Sequence, residues 1–455
     1  MTVRQALIAD CFFEAVGALS MGPSVAGTIS SGEVYASKWQ DSPSYFGLLM
    51  FSVLVGAGST TLLATMYGLP ISSTHGVISG VVACALVSET SGALKNGDAV
   101  NWWPGFGMTV FGWVASPIVG MLAGMVVSYV VYKLIIGTEN PAKSARKQQP
   151  TLLAGTAAII ISFLLIKGPE FLSSPFKGKS WLAILIAIAG GGCVALALLA
   201  YQHLKQPDQS ADSEDTAKDS DDQVPVLGSP REPADEDAEN ASPSDSAPGA
   251  SQHIFDDVQK PFVPLLIAAG LTVAFAHGGN DVGNAVGPLS TILYIHQQNP
   301  HAVPSDDDED AAGTPWSAII VGTLALVAGI MTLGSRTIET VGNSITELTP
   351  SRSFATQIGA GIAVLGSSTM ALPVSTSHCL VGAVVGVNMM EGCCKVNGAK
   401  DLDFKVLKKV VIGWVVTIPL AAGVSVIVLL LLQSLSYCSR RRHTLDESIA
   451  VRSAP

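Results

Sequence analysis

Long apolar runs divided by short polar punctuation set the pattern of this chain. They lie near 5–29, 45–67, 75–89, 103–136, 151–167, 181–201, 262–276, 284–296, 316–334, 354–371, 378–390 and 407–436. Several approach or exceed the roughly 20 residues that an α-helix needs to cross a bilayer. Others, such as 75–89, 262–276 and 378–390, are too short for that and predict half-helices or re-entrant pieces. The pattern predicts an all-α polytopic membrane protein with about 10–12 membrane-embedded elements, because only helices or closed barrels satisfy their backbone within lipid.

Composition supports this. Of 455 residues, 48% are hydrophobic and only 13% are charged, too few to cover a soluble surface of that size. The net charge of −11 belongs mostly to two hydrophilic segments, 202–257 and 299–313. The first is rich in Asp, Ser, Pro and Ala and nearly free of aromatics, so it predicts a disordered acidic linker. The second, "NPHAVPSDDDEDAAGTP", lacks the glycine and terminal glutamate of a calcium loop and reads as solvated. No basic stripe is available to neutralise phosphates, which excludes nucleic-acid binding. The seven cysteines show no metal-ligand or disulfide spacing, and no cofactor is expected. No nucleophile–base constellation or nucleotide loop points to an enzyme. The N-terminus lacks a basic region ahead of a short apolar core, so no cleavable signal is expected.

The two sides of the linker resemble each other. "GLPISSTHGVISGVV" (68–82) matches "ALPVSTSHCLVGAVV" (371–385) without gaps. In the same order, "GWVASPIVG" (112–120) matches "GWVVTIPLAAG" (413–423). Two ordered matches predict a duplicated fold. Such halves are commonly related by inverted topology, with substrate at their interface near the midplane. The expected organisation is a first repeat at 1–140, connecting spans at 141–201, the linker at 202–257, a second repeat at 258–439 and a tail at 440–455.

Three motifs carry chemistry. In "LPISSTH" and "LPVSTSH", a proline precedes three hydroxyl residues, Ser72, Ser73 and Thr74 or Ser375, Thr376 and Ser377. Proline and Ser/Thr suit a helix start, and a helix start with free N–H groups favours an anion. One copy would be a capped helix; two copies in a duplicated fold point to an anion cradle. The histidines that follow, His75 and His378, are either packing and capping groups or proton and substrate groups. In "AHGGNDVGNAVGP" (276–288), Gly278 and Gly279 predict a loosened helix with a new start near Asn280. There Asn280 and Asn284 share a face with Asp281 one step around. An intramembrane carboxylate usually faces a cavity and has a partner. Asp281, the Asn oxygens and unwound carbonyls form an all-oxygen set that suits Na⁺, or a proton on Asp281. An anion beside Asp281 would be repelled without an intervening cation.

"GGNDVGNAVGP" resembles the "GANDVANA" signature of the inorganic phosphate transporter (PiT) family, sodium- or proton-coupled phosphate permeases. The paired hydroxyl motifs and "IETVGNSITELTPSRSFATQ" (338–357) fit the same family, the last stretch looking closest to fungal and protist sodium–phosphate symporters. The resemblance covers nearly the whole chain except the linker. It implies an inverted-repeat symporter working by alternating access, with inorganic phosphate and Na⁺ or H⁺ as its partners. Residue by residue, it places Asn280, Asp281 and Asn284 in the cation site and the six hydroxyls on phosphate. It adds Glu14 of "DCFFEAVGA" and Glu339 and Thr340, the "ET" of the second half, to the cation site. Gln357 stands where the family usually has glutamate. The family's first "GANDVAN" copy, expected ahead of "ALIADCFFEAVGALSMG", is absent from this sequence, so only half of that cation site is implied here.

Lys133, Lys143, Arg146 and Lys147 suggest a cytoplasmic loop, which places the linker on the cytoplasmic side. The sequon at Asn240 lies in that linker and is expected to stay unmodified. The plasma membrane is the expected location, an acidic storage organelle the alternative, and a homodimer is one assembly open to the chain. Beside Na⁺ symport stand H⁺ coupling, sulfate as the oxyanion, and a non-transporting phosphate sensor or receptor.

Overall fold

The computed structural model describes residues 3–67, 71–90, 98–168, 170–204, 256–298, 303–304, 314–342, 349–370, 372–394, 396 and 402–452. Within them the apolar runs become helices, the geometry in which each segment satisfies its own N–H and C=O groups. The first half carries α1 (Val3–Gly27), α2 (Pro43–Met66), α3 (Ser73–Thr90) and α4 (Gly107–Val131). A hairpin follows, α5 (Pro141–Lys167) and α6 (Ser180–Leu204), whose two helices pack along each other. The second half carries α7 (Phe262–Leu293), α8 (Trp316–Gly342), α9 (Pro350–Thr369), α10 (Thr376–Cys393) and α11 (Phe404–Arg452). Among the described residues, eight helical stretches are long and apolar enough to span a bilayer. The protein is an all-helical, multi-pass membrane protein. Residues 205–255 of the expected linker and 305–313 of the second acidic run lie outside the described residues.

Two expectations are corrected. The short run 262–276 is not a half-helix: α7 continues from it into the next run, 284–296, without interruption. Gly278 and Gly279 do not unwind it. They let α1 approach, since a Cβ at Gly278 would collide with the Glu14 carbonyl and one at Gly17 with the Phe275 carbonyl. The helix breaks fall instead at the two hydroxyl motifs. There α2 ends before α3 begins at Ser73, and α9 ends before α10 begins at Thr376. Lys143, Arg146 and Lys147 lie in the first turns of α5, a helix capped by Asn140, and with Lys133 they flank the short connection between α4 and α5.

The halves are not separate bodies. α4 of the first half packs on α9 and α10 of the second, and α11 of the second packs on α2 and α3 of the first. This reciprocal exchange is what a duplicated sequence gives when each copy completes the other. Lipid offers no hydrophobic drive between helices, so small residues must let the backbones meet. On α4 and α10, Gly120, Gly124, Gly382 and Gly386 each face a carbonyl of the opposite helix. At the repeat-related contact, Gly76 and Gly80 of α3 face Ala421 and Ser425 of α11. These two occupy the places of Gly120 and Gly124, counted from the matched tryptophans.

The repeats differ where charge is concerned. Arg352 near the start of α9 pairs with Glu391 near the end of α10 at 2.5 Å, both side chains buried. In the first half, Tyr45 is the third residue of α2 as Arg352 is of α9, and Ser88 stands in the register of Glu391; the two are joined hydroxyl to hydroxyl at 3.1 Å. Each charged group opposes its own helix dipole, so the pair depends on mutual attraction.

Glu33, in the segment between α1 and α2, is fully buried and accepts a 2.6 Å hydrogen bond from Thr109 of α4. Burial pushes its carboxyl from 4.5 up to about 7, and the Thr109 hydroxyl offsets only part of this. The folded protein therefore binds more protons than the unfolded chain between these values. The contribution to stability is fully present below pH 4.5 and is lost as pH rises through 7. Thermal unfolding in detergent should show Glu33→Gln more stable than wild type at pH 8, by up to roughly 3 kcal/mol, with no gain near pH 4.5. In the same assay Gly386→Val, which drives a side chain into the Met121 carbonyl, should destabilise by roughly 1–3 kcal/mol. Gly392→Ala, whose added Cβ meets nothing, should leave stability unchanged or slightly raised.

Candidate functional site

The site is organised by one face of α7. Helical spacing puts His277, Asn280, Asp281 and Asn284 along that face, and each reaches a different element. Asn280 donates from Nδ2 to the Val374 carbonyl at 2.8 Å, just before the second hydroxyl triplet, and to its neighbour Asp281 Oδ1 at 2.7 Å. Its Oδ1 accepts from Ser368 of α9 at 3.4 Å. Asn284 donates to Ser73 Oγ at 3.1 Å and to Thr74 Oγ1 at 3.2 Å, at the start of α3. Thr376, the first residue of α10, donates to Asp281 Oδ2 at 3.0 Å. The first triplet also reaches the second motif directly, where Thr74 Oγ1 donates to the carbonyl of Val374, the residue ahead of the second triplet, at 3.3 Å. One continuous helix thus ties both helix starts together.

The six expected hydroxyls take different places. Ser73, Thr74 and Thr376 touch the α7 face as described. Ser375 and Ser377 bond each other at 2.9 Å. Ser72 is buried and accepts from the His75 backbone N–H at 3.3 Å, so it closes the helix start. Ser73, Thr376, Ser377 and Asp281 are half-buried, which leaves them open to a small molecule. Gln357 lies on α9, its Oε1 buried without a hydrogen-bond partner. Glu339 and Thr340 belong to α8, but their side chains are outside the described residues.

Glu14 joins the site through a residue that sequence reasoning passed over. His277 Nδ1 lies 2.7 Å from Glu14 Oε1 of α1, and its Nε2 lies 2.7 Å from Asp281 Oδ2. A neutral imidazole has a single N–H, whereas both of these contacts go to carboxylate oxygens. Both contacts are hydrogen bonds only when the bridge carries one proton more than a neutral imidazole supplies. The i, i+4 spacing of His277 and Asp281 was a visible signal for this contact. Its partner on α1 was not visible, because that depends on the glycine seam between α1 and α7.

Two buried acceptors remain without a donor, Glu14 Oε2 and Asn284 Oδ1. Glu14 of α1 meets the α7 face at His277, and Asn284 stands at the other end of that face. An unpaired acceptor in a low-dielectric interior is costly, and a bound cation would satisfy it. Hard oxygen donors suit a small monovalent cation better than a soft metal. The unwound main-chain carbonyls expected at 276–288 are absent, because α7 stays helical there. The oxygen set that exists comes from side chains and from the Val374 carbonyl.

His75 and His378 are both buried and touch edge to face, ring centroids 4.7 Å apart. Beside them lie Trp113 and Trp414, which the sequence offered only as part of the matched "GWV" segments.

Comparison with known proteins agrees with this geometry. A model described as the phosphate transporter family matches residues 1–425. The chain is 30% identical to the inorganic phosphate transporter 2-1, chloroplastic, of Arabidopsis thaliana, over 94% of this chain and 66% of that one. It is 27% identical to a Haemophilus influenzae protein that carries a phosphate permease name, over 96% and 89% of the two chains. Its fold is similar to a solved structure titled the sodium-dependent phosphate transporter. That likeness has a TM-score of 0.73 at 27% identity, covering 95% of this chain and 90% of that one. A family match over most of the chain, on a helical fold with paired hydroxyl turns, leads to one conclusion: this chain belongs to the phosphate transporter family.

Proposed function

We propose that the protein imports inorganic phosphate by symport with a monovalent cation, Na⁺, through alternating access of its two halves at the plasma membrane. In this reading Ser72, Ser73, Thr74, Ser375, Thr376 and Ser377, with the N-termini of α3 and α10, bind phosphate. Asn280, Asp281, Asn284 and Glu14 serve the cation, and Glu339 and Thr340 are assigned there on the family resemblance. The observation that carries the reading is the α7 face, which touches both hydroxyl turns and holds Asp281 beside them, with Glu14 of α1 joined through His277. Phosphate next to those carboxylates is repelled unless positive charge lies between. The cation therefore makes the anion site tenable, and coupling follows from the charges.

A second coupling ion, H⁺, is supported by the Glu14–His277–Asp281 bridge, whose two imidazole contacts would be completed by a proton. If that proton is the coupled one, uptake follows a pH gradient and is indifferent to Na⁺.

Labelled phosphate uptake into liposomes containing the full chain separates the two. With an inward Na⁺ gradient the expected uptake is well above that with K⁺ at equal pH. Equal uptake in both salts sinks Na⁺ coupling, and stimulation by an acid-outside gradient in K⁺ establishes the proton. Excess sulfate that abolishes uptake would change the assigned oxyanion.

Asp281→Asn keeps the shape but removes the charge that Thr376, Asn280 and His277 address. Loss of charge-assisted hydrogen bonds of this kind should lower uptake roughly ten- to hundredfold. In the same liposomes, a variant within twofold of wild type would remove Asp281 from the site.

A further inference from the structure

The histidines that follow the two hydroxyl triplets form a reciprocal contact between the halves. His75 Nδ1 lies 3.3 Å from the carbonyl of Trp414 on α11. His378 Nδ1 lies 3.0 Å from the carbonyl of Trp113 on α4. Trp113 and Trp414 are themselves a repeat-matched pair, so each histidine reaches across to the tryptophan of the other half. The rings pack in one group. His75 lies 4.1 Å from Trp113, His378 lies 3.7 Å from Trp414, and the two imidazoles lie 4.7 Å apart at 90°.

This geometry settles what each ring can do. A carbonyl only accepts, so Nδ1 carries the proton in both histidines and is committed to backbone. Both Nε2 atoms are buried and meet no polar partner. The side chains are 3% and 4% exposed, and an indole covers one side of each ring. Neither imidazole presents a group to a molecule lying on the hydroxyls.

Both are placed to control where those hydroxyls stand. His75 is in the first turn of α3, and its backbone N–H donates to Ser72 Oγ. His378 is in the first turn of α10, and its backbone N–H donates to the Ser375 carbonyl at 3.1 Å. Each hydroxyl turn is thus anchored twice. On one side α7 holds it, through Asn284 on Ser73 and Thr74 and through Asp281 on Thr376. On the other side a histidine ties the turn to the opposite half. Losing the second anchor would leave the helix start free to rotate about the first.

We infer that His75 and His378 are positioning residues that set both hydroxyl turns for phosphate through Nδ1–H bonds to the Trp414 and Trp113 carbonyls across the repeat interface. They neither bind the anion nor carry the coupled proton. The inference rests on the reading that the two turns bind phosphate.

Asparagine and glutamine variants test it, because the asparagine amide nitrogen occupies the place of Nδ1 and the glutamine nitrogen lies one bond further out. His75→Asn, His75→Gln, His378→Asn and His378→Gln are compared with wild type in full-chain liposomes. The readouts are phosphate KM, maximal uptake rate and the pH dependence of uptake. The Gln variants should raise KM roughly three- to tenfold, the effect of one lost hydrogen bond, while the Asn variants stay within about twofold of wild type. The pH dependence should be the same in all of them. Asn and Gln variants that behave alike would overturn the inference. So would a changed pH profile with KM intact, which would make the rings proton carriers. If the Gln variants fail to fold, the Asn variants decide: KM near wild type supports positioning, and a tenfold rise refutes it. Equilibrium phosphate binding by wild type separates the two levels. No binding sinks the transport reading and this inference together, whereas binding with indistinguishable variants sinks this inference alone.

Discussion

The carboxylate of Asp281, placed within a membrane-crossing helix, is the constraint on which the rest of the structure turns. A charge there is tolerated only with partners on hand. It receives Asn280, Thr376 and His277 at 2.7 to 3.0 Å. Thr376 can reach it only if α10 begins at that depth, so the preceding chain must break there. His277 can bridge to Glu14 only if α1 lies against α7 at backbone distance. That closeness in turn requires Gly17, which faces the Phe275 carbonyl, and Gly278, which faces the Glu14 carbonyl. The glycines of the signature thus serve packing, and packing brings the second carboxylate.

Duplication explains the remainder of the architecture. Each half contributes a helix start with three hydroxyls, and each lends its last long helix to the other half. The result is an interface at which equivalent residues make equivalent contacts, His75 with Trp414 and His378 with Trp113. The symmetry stops at the buried ion pair of Arg352 and Glu391, where the first half has Tyr45 and Ser88. A buried pair of opposite charges adds little stability over neutral packing, yet losing one member is severe. The second half is therefore more tightly constrained at that end than the first.

The chemistry of the site follows from charge and donor type together. The hydroxyls of the two turns and the N-termini of α3 and α10 offer donors, whereas Glu14 and Asp281 offer acceptors. A tetrahedral oxyanion suits the former and a small cation the latter. The two sets share α7, so filling one changes the electrostatic environment of the other. This is the physical ground on which the proposed coupling rests.

Much of this was legible in the residues. Apolar length predicted the helices, and two ordered matches predicted the duplicated halves. The hydroxyl triplets and the Asn–Asp–Asn face were visible as motifs because hydrogen-bonding groups are rare in apolar runs. What the sequence could not decide was contact between distant segments. Glycine pairs read as helix breakers in "AHGGNDVGNAVGP", since glycine is both a poor helix former and the residue of closest approach. Only the position of α1 shows that the second property applies. His277 was in plain view but lacked a role until Glu14 came within 2.7 Å of it. The tryptophan carbonyls that receive His75 and His378 are backbone atoms, which carry no signature in a sequence. Residue types determined which chemistry was available, and helix packing decided which groups meet, because contact across more than 200 residues is a property of the folded chain alone.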